Sequence, residues 1–422
     1  MNNNLCNRYY GEGSFWGNFF TLESQKKGYA LLFLLTIMPL TYKLFSPLFI
    51  VLGFGAYTNI IMPALYIIGL LMSFNEIKRY INAVDLLCYI LFGSFIYISQ
   101  LFYPLSENFL RENFHDFILY VVPFYFLGLS LDYSKHRYLI HCATRVAMYI
   151  HIFWQLCMLL GLVELSAEGA VGEQMDNAYS LLFIVTFLFF EYRSSHMIPD
   201  LLLMIVGLLM ILFMEARGPL VVALIFFATY FIVFEKFTRN NLLKKIVIFL
   251  LAIIGDYFIT PIMLFLSSIA LQFGYSSNTK VFNSILESSM FRLDNSSGRD
   301  EIYGVMLNAI RNDASGFGYG FGSDRHFSLS NGYAHNFELE ILVQFGLIGG
   351  GLILLILFLL FFKSFTRTKG MPECVMWFIL FCWGFLSLQF SMSWIIRPAF
   401  FLLLGYCVSL KRLSSDNSQH QR

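Results

Sequence analysis

Apolar stretches of about 20 residues recur along this chain from Gly28 to Leu410, and only short polar breaks separate most of them. That length is what an α-helix needs to cross the hydrocarbon core of a bilayer. Charged residues make up 13% of the sequence, about half the fraction found in an average soluble domain. The pattern therefore predicts an all-α, polytopic membrane protein rather than a water-soluble fold.

The apolar runs predict about twelve transmembrane helices. They cover residues 28–46, 48–73, 81–103, 114–131, 138–163, 174–192, 197–214, 218–234, 243–271, 335–362, 372–389 and 391–410. The chain then divides into a cytoplasmic N-terminal segment (1–27), helices one to nine (28–271), one large periplasmic loop with short helices (272–334), helices ten to twelve (335–410) and a cytoplasmic tail (411–422).

The distribution of Lys and Arg over the polar breaks predicts the orientation. With the N-terminus inside, the cytoplasmic segments hold 18 of the 28 basic residues, the short outer connections hold four, the long loop holds five and Arg145 lies within a span. Positive charge accumulates on the cytoplasmic side of membrane proteins, so both termini are expected to be cytoplasmic. The net charge of +1 and the lack of a basic block exclude a nucleic-acid partner.

Three arginines stand where charged residues need an explanation. Arg299 precedes an amphipathic stretch, residues 301–310. Because the N-terminus of a helix attracts anions, Arg299 is interpreted as part of an anion site, and a solvated loop arginine is the alternative interpretation. Arg217 lies in a tight outer turn beside a helix N-terminus, where it either binds an anion or pairs with Glu215 or snorkels. Arg397 lies near the outer end of the last span and requires a partner or an anionic ligand.

His335 opens the tenth predicted span, and Glu338 follows one helical turn later. An imidazole suits proton transfer near neutral pH, and a carboxylate one turn away could orient it. A structural histidine at the membrane interface is the alternative interpretation. The preceding glycine-rich run, residues 316–322, has no Walker lysine, and we expect its glycines to let the loop fold back closely over the site. The cysteines and the remaining histidines have no metal-ligand spacing, so no metal is predicted.

Taken in order, these features resemble the O-antigen polymerase and O-antigen ligase family of bacterial envelope enzymes. The resemblance rests on the Arg217-Gly218 turn, Ser297-Gly298-Arg299, the glycine-rich run, and His335-Asn336 followed by Leu339 and by residues 346–350. It implies a multi-pass protein of the bacterial inner membrane. It also implies an enzyme that needs no metal, cofactor or nucleotide sugar and that acts on undecaprenyl-diphosphate-linked glycans at the periplasmic face.

The resemblance also assigns roles to residues. The family's essential arginines correspond to Arg217 and Arg299, and its essential histidine corresponds to His335, giving three expected catalytic residues. Arg217 and Arg299 would also bind the substrate, together with Arg397, Glu338 and Arg311. Arginine forks can hold a diphosphate leaving group, and a histidine can deprotonate the attacking sugar hydroxyl. The implied partners are the lipid-linked oligosaccharide, membrane lipid and a chain-length regulator.

Three functions remain open at this point. A polymerase transfers glycan onto the next lipid-linked repeat unit, and a ligase transfers it to lipid A-core. We favour the polymerase because the loop between Arg299 and His335 is compact and its glycine-rich run is more polymerase-like. A lipid-linked-oligosaccharide flippase is the third candidate. Transporters place polar groups at the bilayer midplane, whereas the polar residues of interest here gather at the outer face.

Overall fold

The computed structural model describes residues 23–38, 58–99, 101–103, 105, 107–159, 167–214, 217–234, 299–327, 334–369, 371–390 and 392–419. The ninth predicted span and the predicted loop before residue 299, including the Ser297-Gly298 pair, lie outside these residues. Every other predicted span contains at least one helix.

Within the described residues the regular structure is entirely helical, so the predicted all-α class is confirmed there. The helices are α1 Ser24–Ile37, α2 Thr58–Lys78, α3 Ala83–Ser99, α4 Glu107–Asp116, α5 Phe124–Ser130, α6 Tyr133–Leu159, α7 Ala167–Ser195, α8 Ile198–Phe213, α9 Arg217–Thr229, α10 Arg299–Asn312, α11 Asp324–Phe327, α12 Phe337–Phe345, α13 Gly351–Thr368, α14 Pro372–Gly384 and α15 Pro398–Gln419. π-Helical turns occur at Phe117–Val121, Tyr230–Phe234 and Gly346–Gly350, and 3-10 turns at Leu386–Gln389 and Trp394–Ile396.

Among the residues that the structure describes, two helical segments are long and apolar enough to cross a membrane. They are Phe337–Thr368, with 32 residues, and Pro372–Gln389, with 18 residues. Shorter apolar helices in the described parts of the chain are Ala83–Ser99, Ile198–Leu212, Gly218–Phe234 and Pro398–Leu410. Large apolar side chains are exposed along α3 and α13, including Phe95 at 63% and Phe358 at 64%. Exposed apolar surface on this scale indicates a face that another apolar medium covers.

The core of the larger compact unit, residues 1–222 and 305–422, is built around α7. Every residue from 177 to 191 is buried, so this helix is covered on all sides. It packs against α8, α6, α14 and α1. Elsewhere α5 crosses α15 so closely that a Cβ on Gly128 or Gly405 would overlap the other helix's backbone. Small residues at such crossings let helix backbones approach each other, as they do in membranes.

One group of buried charges joins regular helices near the C-terminal end of α7. Arg137 of α6 makes a bidentate contact with Glu191 of α7, with Nε–Oε1 and Nη2–Oε2 distances of 2.9 Å. Asp200 of α8 accepts from Arg145 Nε at 2.8 Å and lies 2.9 Å from His141 Nε2. We call these five residues the Asp200 cluster. They fix α6, α7 and α8 to one another.

The second compact unit comprises residues 223–304, of which 223–234 and 299–304 are described. These are the later turns of α9, the π-helical turn that follows it and the first turns of α10. Within this unit Tyr230 stacks on Phe234, with a ring centroid distance of 5.6 Å.

Candidate active site

The α12 helix begins two residues later than the sequence predicts. The helix starts at Phe337, and the Asn336 side chain caps it by accepting from Leu339 N–H at 2.9 Å. His335 lies outside the helix in the left-handed region, at φ 53°. The backbone of a residue with a Cβ is strained in that region, and strained residues cluster at functional sites. The cap and the positive φ together explain why His335 precedes the helix rather than opening it.

Glu338, in the first turn of α12, contacts the connection between α14 and α15. Because His335 lies before the helix, the two residues are not one helical turn apart. Glu338 Oε1 accepts from Gln389 Nε2 at 3.0 Å. The connection consists of residues 386–390 and 392–397 and contains both 3-10 turns. The role of Glu338 in orienting the imidazole therefore cannot rest on i,i+3 helix spacing.

A buried polar group, which the sequence alone did not reveal, lies beside this helix start. Arg325 of α11 contacts Asp324 Oδ1 at 3.2 Å, and its Nη2 donates to Ser393 Oγ at 3.1 Å. Ser393 Oγ in turn donates to Glu340 Oε1, and Gln344 Nε2 donates to Asp324 Oδ1 at 2.7 Å. We call these five residues the Arg325 cluster. It links α11, α12 and the connection.

The charge balance of the Arg325 cluster is unusual, because two fully buried carboxyls share one guanidinium. Burial raises the pKa of Asp324 above its ordinary value, although the Arg325 charge and the Gln344 hydrogen bond oppose the shift. Burial without full pairing disfavours a charged carboxylate. The cluster is therefore suited to holding a proton or to meeting a further polar group, and the Arg325 guanidinium is fixed 4.2 Å above the Phe109 ring.

The glycine-rich run folds back closely, but against the C-terminal end of α12 rather than over His335. Tyr319 N–H and Gly320 N–H donate to the carbonyls of Val343 and Gln344 at 3.0 and 2.9 Å. Gly318 has φ +78°, and a Cβ there would overlap the backbone at Gln344 and Gly346. Only glycine allows this approach. The run therefore supplies hydrogen-bond donors to carbonyls in the last turn of α12, just before the π-helical turn at Gly346–Gly350.

Arg397 is buried, and its guanidinium lies over two aromatic rings. The distances from its Cζ to the ring centroids are 5.2 Å for Tyr179 and 5.6 Å for Trp383. A Cβ on Gly218 would overlap the Tyr179 hydroxyl and would lie 3.2 Å from Phe390 Cβ. Arg397 is only 1% exposed, and Tyr179 contacts both its guanidinium and the backbone at Gly218.

The other two predicted arginines belong to α10. The sequence predicts a helix over 301–310 with Arg299 in its first turn, and the structure confirms this with a helix that begins at Arg299 and ends at Asn312. Arg311 is exposed in the last turn of the same helix. The structure therefore places Glu338, Arg397 and Gly218 around one connection, with His335 three residues before Glu338, whereas it describes Arg299 and Arg311 only as the two ends of α10.

An apolar cavity of about 600 Å³ adjoins this region. Its wall includes Phe92 of α3, Phe337 and Gln344 of α12, Ile353 of α13 and Trp394 of the connection. Such a volume lies within the range of small-molecule pockets. The cavity places an apolar compartment next to the buried polar residues.

The residues missed from the sequence are those of the Arg325 cluster. A signal was present, because Glu340 and Gln344 stand four residues apart within an apolar run and so lie on one helix face. Their partners at 324, 325 and 393 are too distant in sequence for spacing to reveal them. Comparisons with protein-family models, with curated proteins and with solved structures found no match to this chain, so function is argued from the site itself.

Proposed function

We propose that this chain is an O-antigen polymerase. It is a polytopic protein of the bacterial inner membrane with about twelve spans, cytoplasmic termini and a periplasmic active site. It transfers undecaprenyl-diphosphate-linked glycan onto the next lipid-linked repeat unit. The exposed apolar side chains of α3 and α13 and the two long apolar segments support the membrane assignment.

One observation carries the proposal. The two motifs expected to hold the leaving group and the base, Arg217-Gly218 and His335 to Glu338, are more than 100 residues apart in the sequence. Both pack against neighbouring residues of the same connection, because Gly218 approaches Phe390 and Glu338 accepts from Gln389. Residues that act on one bond must converge in this way.

The chemistry assigned to these residues is a single displacement. His335 accepts the proton of the acceptor sugar hydroxyl as its oxygen forms a bond to the anomeric carbon of the donor glycan. The bond from that carbon to the diphosphate breaks, and the electron pair leaves with undecaprenyl diphosphate. Arg217 and Arg299 stabilise the charge that develops on the diphosphate. Arg397 holds the Arg217 turn through Tyr179.

A deletion strain viewed by lipopolysaccharide gel electrophoresis tests the reaction. Loss of a polymerase leaves core carrying one repeat unit. Bare core with glycan accumulating on the carrier lipid would instead identify a ligase, and single units stranded inside the cell would identify a flippase. Either of these results would refute the proposal.

Variants with purified lipid-linked substrate test the residues. Loss of a general base costs about a hundredfold to ten-thousandfold in rate, so His335→Ala is expected to abolish visible chain extension at normal membrane abundance. His326→Ala is a matched control, because His326 is an exposed histidine of α11 in the same loop. An active, well-expressed His335→Phe enzyme would rule out the base.

Reporter fusions test the topology. A periplasmic phosphatase fused near Asn295 should be active, and a cytoplasmic reporter at the same position should be inactive. The opposite result would place the 272–334 loop in the cytoplasm and would overturn the predicted orientation.

A further inference from the structure

Two residues that line the apolar cavity beside the candidate active site carry a buried polar atom without a hydrogen-bond partner among the described residues, namely Gln344 Oε1 and Trp394 Nε1. Gln344 donates from Nε2 to the Asp324 carboxyl. The same Nε2 also donates to Glu340 Oε1 at 3.4 Å, so two carboxyl oxygens hold the amide nitrogen and the amide oxygen is left over. Gln344 is fully buried, and its Oε1 has no hydrogen-bond partner among the described residues. A buried acceptor without a donor is costly unless a ligand supplies one.

The remaining wall is suited to hydrocarbon. Aromatic and aliphatic side chains from α3, α12, α13 and α15 form most of it, and the polar contribution is minor. Two of these helices, α3 and α13, also carry exposed apolar side chains on the outside. The cavity therefore borders the surface that lipid covers if the chain spans a membrane.

The cavity is also continuous with the candidate active site. Phe337 follows the cap residue Asn336, and Trp394 follows Ser393 of the Arg325 cluster. Both aromatic residues line the cavity. An occupant of the cavity would thus lie beside the group expected to perform the transfer, which favours a substrate over a bulk membrane lipid.

We propose that this cavity binds the isoprenoid chain of a lipid-linked substrate, and that Gln344 Oε1 accepts a hydrogen bond from a hydroxyl or amide N–H in the polar part of that substrate. The proposal rests on the proposed function for the identity of the lipid. It goes further in placing the chain between α3, α12 and α13 and in giving Gln344 a role in substrate binding.

Photocrosslinking tests where the chain lies. The probe is a geranylgeraniol analogue with a diazirine near the chain end, added to the full-length protein in nanodiscs. We expect adducts at cavity residues such as Phe92 and Ile353. Adducts confined to outward-facing residues such as Leu91 and Ile356 would overturn the proposal, because those side chains are exposed on the same two helices.

Competition tests the role of Gln344. Geranylgeraniol should compete with the probe about fivefold better than its methyl ether, which is the effect of one hydrogen bond. Equal competition by the two would exclude the hydrogen bond to Gln344. Equal competition by a linear alcohol of the same length would exclude selection for an isoprenoid chain.

A matched pair of variants separates this proposal from the proposed function. Ile353→Trp fills the cavity, whereas Ile356→Trp adds the same bulk to the exposed face of α13. Only Ile353→Trp should reduce crosslinking, by about tenfold or more, at an unchanged melting temperature. Equal crosslinking by both variants would overturn the cavity assignment. Crosslinking in the cavity of a protein that fails the gel assay would refute the polymerase and leave the cavity established.

Discussion

Two buried ionic groups in the part of the chain that the structure describes are built in opposite ways. The Asp200 cluster joins three regular helices, α6, α7 and α8, and Arg137 engages Glu191 through a bidentate contact. The Arg325 cluster joins a four-residue helix, a helix start and a connection made of 3-10 turns. Its two carboxyls share one guanidinium. The α7 helix contacts Arg137 through Glu191 and Arg397 of the connection through Tyr179, and these two α7 residues are twelve residues, or about 18 Å, apart along it.

This difference indicates a division of labour. Buried pairs between regular helices fix how the helices pack, and removing one partner destabilises the fold. Incompletely paired groups on irregular backbone are costly to keep, and proteins retain them where they bind or react. We therefore expect variants at the Asp200 cluster to act on stability and variants near the Arg325 cluster and the connection to act on activity.

The largest effect is expected for Asp200→Ala. It leaves Arg145 and His141 buried without this carboxylate, and removal of one partner from a buried pair costs about 3–5 kcal/mol. The melting temperature in detergent should fall sharply, while activity per folded molecule stays within about twofold of wild type. Glu23→Ala is the control, since its exposed pair with Lys26 contributes about 1 kcal/mol or less. An Asp200→Ala protein with normal stability and lost activity would contradict the expectation that the Asp200 cluster acts on stability.

A smaller effect, on activity, is expected for Arg397→Lys. The ammonium keeps the charge but loses the planar stacking on Tyr179 and Trp383, an interaction of about 2 kcal/mol when desolvated. Because Arg397 positions the Arg217 turn, KM for the lipid-linked donor should rise about tenfold with a smaller change in kcat. An exposed arginine, Arg79, provides the matched Lys control. A change confined to the melting temperature would make Arg397 purely structural.

Gly318→Ala should have an intermediate effect on the site. Left-handed φ costs a residue with a Cβ about 1–2 kcal/mol, and the overlap with the backbone at Gly346 adds to it. Hydrogen exchange at the amides of Tyr319 and Gly320 should accelerate about tenfold. Gly304→Ala is the control, because no described residue lies within 4 Å of a Cβ there. Unchanged exchange in Gly318→Ala would show that the run does not depend on this close approach.

The smallest effect is expected for Asp313, which holds the start of the glycine-rich run. Burial raises the pKa of its carboxyl, but hydrogen bonds from Ser315 and Gly318 outweigh this and leave it below the ordinary value of 3.8. The stabilisation is therefore complete above the ordinary value and is lost as the pH falls through the lowered one. Asp313→Asn should lose about 1 kcal/mol or less at neutral pH. Amide exchange at Gly318 should converge between variant and wild type on acidification, and a constant difference would contradict the carboxylate's role.

Hydropathy predicted the helix positions well, because burial in any apolar medium depends on local composition. The helix after Arg299 was also predicted, since its amphipathic pattern is local. The break at Gly346–Gly350 was not, and residues 335–362 were predicted as one span. Apolar composition does not predict an interruption in a helix when another segment, here the glycine-rich run, supplies the hydrogen bonds at that point. The Arg325 cluster was missed for the same reason, because its members meet only through tertiary contacts.

The glycine-rich run has one further consequence. In an apolar surrounding no water can replace a lost helical hydrogen bond, so an interruption between α12 and α13 is tolerable only if protein groups act as the solvent. The amides of Tyr319 and Gly320 fill that role for Val343 and Gln344. The loop segment thus supplies to the helix carbonyls the hydrogen bonds that water would otherwise provide. Shortening or lengthening residues 316–322 should damage the helix as severely as a proline within it.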